Sequence, residues 1–444
     1  MKKNLLLVMG IPMAIIGAYF LAERIPVNHD QVTPVISQSQ EFDKATQQAK
    51  LAAELGKSPK SKAQLRSVTN AWSLAITSMK SVPTNSPNYQ IAQEKIVEYQ
   101  HHYSNAKDKV KNTPDKMTLV KIIRGEITPK SVVYSGNGLF FAQNMMYRHT
   151  IAVYNREYKL VKTISDRVKL SDYGYKKFQG SYQGSPVEAA FSHNGKYAWV
   201  SNYSMYGQGF NREGTDTCHP SGNYDPSTLY RINTKTLAIE KVIFVGSVPK
   251  YNAVTPDNRF VLVSNWCTWD LSVVDIKENK EIKRIKLGAY PRGIAIDSNS
   301  KKAYVAVMGS SDIAVVNLQQ PQFALQWLRN IGNGPRHLNI DNGNYLYASL
   351  NAEGNVAKID LSTGKVLKKV NTGNAPRSTV LSDDAEFIYV VNYNSNTVSK
   401  VRTSDMKIMQ TLKTEAHPIG ITYDPKTHQV WVACYSGSIM VFQD

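Results

Sequence analysis

The chain has 444 residues, and its 53 lysines and arginines outnumber its 35 aspartates and glutamates by 18. This basic balance favours anionic partners such as acidic lipids, acidic wall polymers and polyanionic glycans, although a generally basic soluble surface would have the same charge. The sequence contains no fingerprint of a nucleic-acid-binding module, so we do not expect nucleic acid as a partner.

The N-terminus predicts a membrane anchor. Lys2 and Lys3 precede an apolar run over residues 5–22, which is long for the core of a signal peptide and within the range of a spanning helix. A cleaved signal is the alternative, but the bulky Phe20 disfavours cleavage after Ala22. Because the lysines precede the run, the N-terminus should stay cytoplasmic and the remainder should be exported to a periplasm, a thylakoid lumen or the cell surface.

We therefore assign residues 1–24 to a signal anchor and the proline-containing residues 25–37 to a linker. Residues 38–112 place apolar side chains at three- and four-residue spacing, which predicts a small helical hairpin region that acts as a stalk. The stretch from Trp72 to Tyr99, with Pro83 and Pro87 between, resembles the tetratricopeptide-type hairpins of exported cyanobacterial proteins. The resemblance covers about one hairpin, and it leaves open a peptide-binding role in place of the stalk.

A proline recurs through the rest of the chain. It falls at Pro129, Pro186, Pro249, Pro291, Pro335, Pro376 and Pro418. From Pro249 onward the intervals are 41 to 44 residues, each with several short apolar segments. This period is typical of a β-propeller, whose blades are four-stranded sheets around a central channel. The predicted fold class is mainly β: a seven-bladed β-propeller over residues 117–444, preceded by a transmembrane helix and a small α-helical hairpin region.

The ring should be closed by its first strand. The last blade offers strands near residues 420–423, 429–433 and 438–442, and then the chain ends without a fourth. Residues 118–125 resemble the fourth strand at residues 281–288. Pairing of the strand at 118–125 with the last blade would remove two open sheet edges at once.

The sequence motifs of the blades resemble those of the YVTN-repeat propeller family. The matching pieces are Val200-Ser201-Asn202, Val263-Ser264-Asn265 and Val391-Asn392, together with third strands at residues 271–275 and 313–317. The resemblance covers the whole predicted propeller, although Cys434 and either Val307 or Met308 replace the asparagine in two blades. Similar propellers include lactonases and the scaffolds of redox enzymes, so the resemblance implies a fold and leaves the function open.

One face of the propeller should gather the unusual residues. In a blade, the start of the first strand and the end of the second lie on the same face, here called the corner face because the recurrent proline begins the first strand. The residues on this face include five cations next to the prolines, aromatic residues after the second strands (with Tyr435 among them), and two insertions over residues 167–184 and 204–227.

Cations, asparagines and aromatic rings on one face can hold an anionic or glycan-like ligand. The predicted ligand-binding residues are Lys130, Glu188, Lys250, Arg292, Arg336, His337, Arg377, Tyr203, Asn265, Trp266, Asn392 and Tyr393. Glu188 and Ile419 stand near the corner positions of the two blades that lack a cation there. The structural alternative is that the corner arginines are buried and donate to neighbouring backbone carbonyls.

The sequence contains three cysteines. Cys218 and Cys267 occupy corresponding loops of adjacent blades, so they are candidates for a disulfide in an exported chain, and Cys434 should be a buried unpaired thiol. No catalytic constellation, metal-ligand spacing or cofactor motif stands out.

We therefore expect a monomeric, membrane-anchored and exported binding scaffold, and not an enzyme. Its partner could be a protein, a cell-wall glycan or an anionic small molecule. The alternative is a lactonase-like enzyme that uses Glu188 and nearby asparagines as a metal cup, or His337 and Arg336 as the reacting pair.

Overall fold

The computed structural model describes residues 40–59, 61–341 and 343–444, which form three α-helices and twenty-eight strands. The predicted signal anchor (1–24) and linker (25–37) lie outside these residues. Among the residues within these ranges, no helix combines the length and the apolar character needed to cross a bilayer.

The N-terminal region consists of α1 (Gln40–Leu55), α2 (Lys62–Lys80) and α3 (Tyr89–Asn112), which pack in succession. The side chain of Ser61 accepts a hydrogen bond from the backbone N–H of Gln64 and so caps the start of α2. The core between the helices is made of small residues, mostly alanines, around the rings of Trp72 and Tyr99. The structure thus has three helices where one hairpin was recognised in the sequence.

The strands follow in chain order. Their bounds are β1 (Thr118–Arg124), β2 (Ser131–Tyr134), β3 (Leu139–Asn144), β4 (Thr150–Asn155), β5 (Leu160–Ser165), β6 (Pro186–Ser192), β7 (Tyr197–Asn202), β8 (Thr228–Asn233), β9 (Ala238–Phe244), β10 (Pro249–Val254), β11 (Phe260–Asn265), β12 (Asp270–Asp275), β13 (Lys280–Lys286), β14 (Pro291–Ile296), β15 (Lys302–Val307), β16 (Asp312–Asn317), β17 (Leu325–Leu328), β18 (Pro335–Ile340), β19 (Tyr345–Leu350), β20 (Asn355–Asp360), β21 (Val366–Asn371), β22 (Pro376–Leu381), β23 (Phe387–Asn392), β24 (Thr397–Arg402), β25 (Lys407–Lys413), β26 (Pro418–Asp424), β27 (Gln429–Cys434) and β28 (Ser438–Gln443).

These strands form seven antiparallel four-stranded sheets, the blades of a propeller. Blades 1 to 6 each take four consecutive strands, from β2–β5 in blade 1 to β22–β25 in blade 6. Blade 7 consists of β26, β27 and β28 with β1 as its fourth strand, in a register that pairs Thr118 with Gln443 and Arg124 with Ser438. This is the ring closure that the sequence predicts.

The hydrophobic core lies between adjacent blades. Each first strand contacts the first strands of the two neighbouring blades, so the seven first strands surround the central channel. Second strands such as β11 and β23 are buried along their whole length, whereas the outer strand β13 is mostly exposed. Where the ring closes, Phe140 of blade 1 stacks on Trp431 of blade 7 with ring centroids 3.8 Å apart.

The helices pack on the face of the propeller opposite the corner face. Ser67 of α2 contacts His428 in the turn between β26 and β27, at 2.9 Å between Oγ and Nε2. Arg66 bridges Asp115, at 2.9 Å, and Glu386 of the β22–β23 turn, at 3.1 Å. Both turns join a first strand to a second strand, so the helical region leaves the corner face free.

The two insertions meet on the corner face, as predicted. Backbone hydrogen bonds join Gln183 of the first insertion to Tyr206 of the second in both directions, at 3.0 and 2.7 Å. The first insertion continues down the outside of blade 2, where Tyr175 donates to the carbonyl of Val242 at 3.0 Å. Cys218 of the second insertion forms a disulfide with Cys267, which follows β11. Cys434 is unpaired and buried.

Candidate anion-binding site at the mouth of the channel

A repeated backbone irregularity positions the corner cations. In six blades the recurrent proline faces the last residue of the second strand, as Pro249 faces Asn265 and Pro291 faces Val307. In each of these six pairs the register slips directly after the proline. A β-bulge of this kind leaves an extra residue out of the ladder and redirects its side chain.

The residue after each proline, here called the corner residue, therefore lies at the mouth of the channel. The corner residues of blades 1 to 7 are Lys130, Val187, Lys250, Arg292, Arg336, Arg377 and Ile419. All five cations among them line one cavity of about 850 Å³. Glu188, which the sequence places near the corner of blade 2, lies one residue beyond the corner residue Val187.

The corner cations are buried and short of partners. Lys130, Lys250, Arg292 and Arg336 are each 7% exposed, and Arg377 is half-buried. Among the described residues, the Nε atoms of Arg292 and Arg377 have no acceptor, and the contact of Arg336 is a weak one of 3.9 Å to the sulfur of Met308. The arginines therefore lack the carbonyl cages that the structural alternative requires.

Aromatic rings hold the cations in place. Lys250 Nζ lies 4.2 Å from the ring centroid of Tyr203 and 5.3 Å from that of Trp266. The guanidinium carbon of Arg292 is 5.2 Å from the same Trp266 ring, and that of Arg377 is 3.6 Å from Tyr393. Such contacts are attractive but do not neutralise the charge, so the cations stay available to an anion.

The second insertion reaches across the mouth. Asp216 accepts a hydrogen bond from Lys250 Nζ at 3.2 Å, and its backbone carbonyl accepts from Trp266 Nε1, also at 3.2 Å. Tyr203 donates to the carbonyl of Gly214 at 3.1 Å. With the disulfide at Cys218, these contacts fix one carboxylate, which is itself 84% exposed, over a single corner cation.

A second layer of side chains lies beneath the cations. It consists of the residues that follow the corner residues, namely Ser131, Glu188, Tyr251, Gly293, His337, Ser378 and Gly420. A Cβ on Gly293 would lie 2.7 Å from the backbone of Arg336 and His337, and one on Gly420 would lie 2.6 Å from the Cα of Ser131. Only glycine allows the first strands to approach so closely. His337 and Tyr251 meet edge to face, with centroids 5.1 Å apart.

Burial and mutual repulsion disfavour the charges of this site. Burial first, and then the charge of Arg292, lowers the pKa of Lys250 to about 7, against the opposing effect of Asp216. Burial and Arg377 lower the pKa of Arg292 to about 10, and the pKa of Lys130 falls well below its usual value for similar reasons. Since two like charges in a poorly solvated site repel strongly, an anion between them would relieve this strain.

The pKa values of the two titratable groups in the layer beneath the cations are also shifted. Burial, followed by the positive charge of Arg336, lowers the pKa of His337 to about 3, so this imidazole is neutral at physiological pH. Burial raises the pKa of Glu188 to about 7, with the charge of Lys130 acting in the opposite direction. Neither side chain lines the cavity.

Eight of the twelve predicted ligand-binding residues line the cavity: Lys130, Tyr203, Lys250, Trp266, Arg292, Arg336, Arg377 and Tyr393. Glu188 and His337 lie beneath it. Asn265 and Asn392 are fully buried within their blades, where Asn265 Nδ2 donates to Asp270 at 2.9 Å and Asn392 Nδ2 to Ser399 at 3.1 Å. These asparagines hold the blade together and are not part of the site.

Sequence reasoning missed the turn after β3, which contributes Met145, Met146, Tyr147 and His149 to the cavity. It also missed Asp216 as the carboxylate that faces Lys250. Met145 occupies the position in blade 1 that Tyr203 occupies in blade 2, directly after the second strand. Alignment of the blades by their second strands would have found it, but its residue type gave no signal.

No protein-family model matches the chain. The antigen Lp49 of Leptospira interrogans is 24% identical over 172 residues, which make up 37% of this chain and 38% of that protein. The hydrazine synthase subunit beta of Kuenenia stuttgartiensis is 27% identical over 188 residues, 37% of this chain and 43% of that protein. The chain thus matches less than half the length of these two relatives.

Two solved structures are similar over most of the chain. Hydrazine synthase of Kuenenia stuttgartiensis matches with a TM-score of 0.55 and 14% identity, over 72% of this chain and 97% of that chain. Virginiamycin B lyase from Staphylococcus aureus matches with a TM-score of 0.56 and 13% identity, over 74% of this chain and 100% of that chain. At this identity the likeness supports the fold alone, a seven-bladed β-propeller. The YVTN-repeat and tetratricopeptide resemblances stay predictions.

Proposed function

We propose that the protein is a binding scaffold that takes an anionic ligand into the channel mouth on its corner face. The observation that carries the proposal is the set of three arginines, Arg292, Arg336 and Arg377, which line one cavity without the carbonyl or carboxylate partners that buried guanidinium groups need. A planar guanidinium group suits carboxylate or phosphate, which it can bind through two parallel hydrogen bonds.

The charge balance of the cavity supports the same proposal. Five corner cations line it, and the acidic side chains among the lining residues are Asp216 and Glu213. Asp216 bonds to Lys250, and Glu213 accepts from the hydroxyl of Tyr206 at 2.7 Å. Among the described residues, no hydrogen bond or ion pair joins either acid to an arginine, so an incoming anion would meet cations that are already positioned.

A direct test is calorimetric titration of the full chain with inorganic phosphate at low ionic strength. Arg336→Gln and Arg377→Gln should each weaken binding at least about tenfold, since a charge-assisted hydrogen bond contributes roughly 1.5–3 kcal/mol. A matched control is Arg284→Gln on the outer strand β13, where Arg284 pairs with Glu281 at 2.9 Å. Equal phosphate affinity in all four proteins, or no binding at all, would contradict the proposal.

The lactonase-like alternative gains no specific support. In the described parts of the chain, no three His, Cys, Asp or Glu side chains are grouped so that they could hold a metal ion. Asn202, which would contribute to a cup beside Glu188, already bonds to the backbone N–H of Ser185 at 3.0 Å and to Thr228 at 3.2 Å. His337 lies in the layer beneath Arg336, away from the cavity lining.

We also propose that the chain is exported and held to a membrane by residues 1–24, on the strength of the lysines and the apolar run there. The disulfide between Cys218 and Cys267 fits an oxidising compartment. After fractionation of the native host, the chain should stay in the membrane pellet through carbonate extraction. Protease added to the outer face of the membrane should release the exported part of the chain. Recovery in the cytosolic fraction would contradict this.

A further inference from the structure

We infer that the ligand is an organic anion with a doubly charged head group and an apolar or aromatic body, oriented across the mouth of the channel. The head group lies on the arginines of blades 4 to 6, and the body lies against Met146 and Tyr147 of blade 1. This inference rests on the proposed function and specifies its ligand class.

The cavity has room for a ligand body beyond the anionic head group. A cavity of about 850 Å³ is in the range of sites that enclose organic ligands, roughly 300–1,000 Å³. A phosphate or carboxylate group alone would leave most of that volume to water, which would screen the charges that bind it. The ligand is therefore larger than its anionic group.

The positive charge is confined to one side of the mouth. The corner residues of blades 3 to 6 are all cationic and follow one another around the ring. In blades 2 and 7 the corner residues are the apolar Val187 and Ile419, both fully buried. Lys130 of blade 1 lies between these two apolar corners. The carboxylate of Glu188 interacts more strongly with Lys130 than with Arg292, so it offsets the charge of Lys130 more. An anionic head group is therefore bound most favourably on the side of blades 3 to 6.

The other side of the mouth displays apolar side chains on a fixed backbone. Met146 is 38% exposed and Tyr147 is 83% exposed in the turn after β3, and both line the cavity. The turn itself is held by Thr128, whose hydroxyl donates to the carbonyl of Met146, and by Ser185, which donates to that of Met145 at 3.3 Å. Tyr206 of the second insertion continues this surface, edge to face with His149 at 5.5 Å.

The number of arginines sets the charge of the head group. The three guanidinium groups lie close enough to repel: besides burial, Arg292 and Arg377 lower the pKa of Arg336, and Arg377 lowers that of Arg292. A singly charged carboxylate offers two oxygens and would satisfy one guanidinium group through a bidentate contact. A phosphate monoester offers three oxygens and about two charges, which matches three converging cations better.

The test compares inorganic phosphate, 1-naphthyl phosphate and uncharged 1-naphthol by calorimetric titration of the full chain. We expect 1-naphthyl phosphate to bind at least about tenfold more tightly than inorganic phosphate, because burial of its ring removes apolar surface from water. We expect 1-naphthol to bind more weakly than either, because it lacks the head group.

Two variants separate the two ends of the site. In the double variant Met146→Ser with Tyr147→Asn, the ratio of the two phosphate affinities should fall towards one; asparagine tolerates the positive φ of 63° at position 147. Arg336→Gln should weaken both phosphates and keep the ratio. Leu367→Ser, at a 54% exposed position of the outer strand β21, is the control for loss of an exposed apolar side chain.

The outcomes distinguish the inference from the proposed function. If both phosphates bind the wild-type chain equally, or if the double variant keeps the tenfold ratio, the apolar body is wrong while anion binding stands. If neither phosphate binds, or if Arg336→Gln changes neither affinity, the proposed function itself fails. If 1-naphthol binds as tightly as 1-naphthyl phosphate, the site is an apolar one and both ideas fail.

Discussion

Replacement of Arg292 by methionine should stabilise the ligand-free protein. Arg292 is 7% exposed, its Nε has no acceptor, and burial together with Arg377 lowers its pKa from 12.5 to about 10. Each pKa unit corresponds to about 1.36 kcal/mol, so the fold disfavours this charge by about 3 kcal/mol. Methionine of similar length removes the charge and keeps apolar contact with Trp266.

Two losses reduce the expected gain. The contact of the guanidinium group with the face of Trp266, at 5.2 Å, disappears, and such contacts contribute about 0.5–2 kcal/mol. The shape of the new side chain also differs slightly, at a cost of up to about 1 kcal/mol. The free energy of unfolding should therefore rise by about 1–2 kcal/mol in the variant, measured by urea unfolding at low ionic strength without added anion.

Saturation with phosphate should instead make the wild-type protein more stable than the Arg292→Met variant. At a phosphate concentration of about 100 times Kd, binding stabilises the wild-type protein by about 2.7 kcal/mol, and the variant should gain far less. The control is Arg284→Met on β13, an exposed change that should shift stability by no more than about 0.5 kcal/mol in either condition. If the ligand-free Arg292→Met protein is instead less stable than wild type by more than 1 kcal/mol, Arg292 is a structural residue and the reasoning is refuted.

Three further predictions concern other parts of the molecule. Cys218→Ser should lower the free energy of unfolding by about 4 kcal/mol, which is the loop-closure value for the 49-residue separation from Cys267. A reducing agent should destabilise the wild-type protein by the same amount and leave the variant unchanged. Glu188→Gln should abolish a loss of stability that the wild-type protein shows between about pH 4.5 and 7. Because the folded pKa of Glu188, about 7, lies above the unfolded value of 4.5, this group stabilises the wild-type protein at low pH and loses that contribution as the pH rises. Parallel curves of melting temperature against pH for the two proteins would disprove this. Lys400→Met should destabilise the protein by about 3–5 kcal/mol, because Lys400 is fully buried between Asp115 and Asp444 and its loss leaves two carboxylates facing each other. A change in the free energy of unfolding below about 1 kcal/mol, measured by calorimetry, would contradict this.

The spacing of the prolines was enough to predict the seven-bladed propeller. Seven prolines predicted seven blades, and the likeness of residues 118–125 to an outer strand predicted which segment completes blade 7. Both arguments work because a propeller repeats one local pattern, and because an open sheet edge has a single obvious partner. The alternation of the strands then places most of the corner cations correctly.

The details of the site depended on geometry that a pattern does not contain. Glu188 lies two residues after Pro186, whereas each corner cation lies one residue after its proline, so the bulge that makes Val187 the corner residue places Glu188 beneath the cavity. Asn265 and Asn392 were expected on the corner face among the ligand-binding residues, yet their amides bond inside the blade. Met146 and Tyr147 entered the site through a turn whose length and direction the repeat does not specify.

The closure of the ring by β1 has a mechanical consequence. α3 ends at Asn112 and β1 begins at Thr118, so once the contacts of α2 with His428 and Glu386 have broken, a pull on the helices reaches the β1–β28 ladder through a leader, residues 113–117. Asp115 within that leader is anchored to Lys400 and Arg66, and these ion pairs would share the load before the ladder does. Under tension from its N-terminal side, the ring should therefore open at this seam, with blade 7 losing its outer strand while the other six blades stay intact.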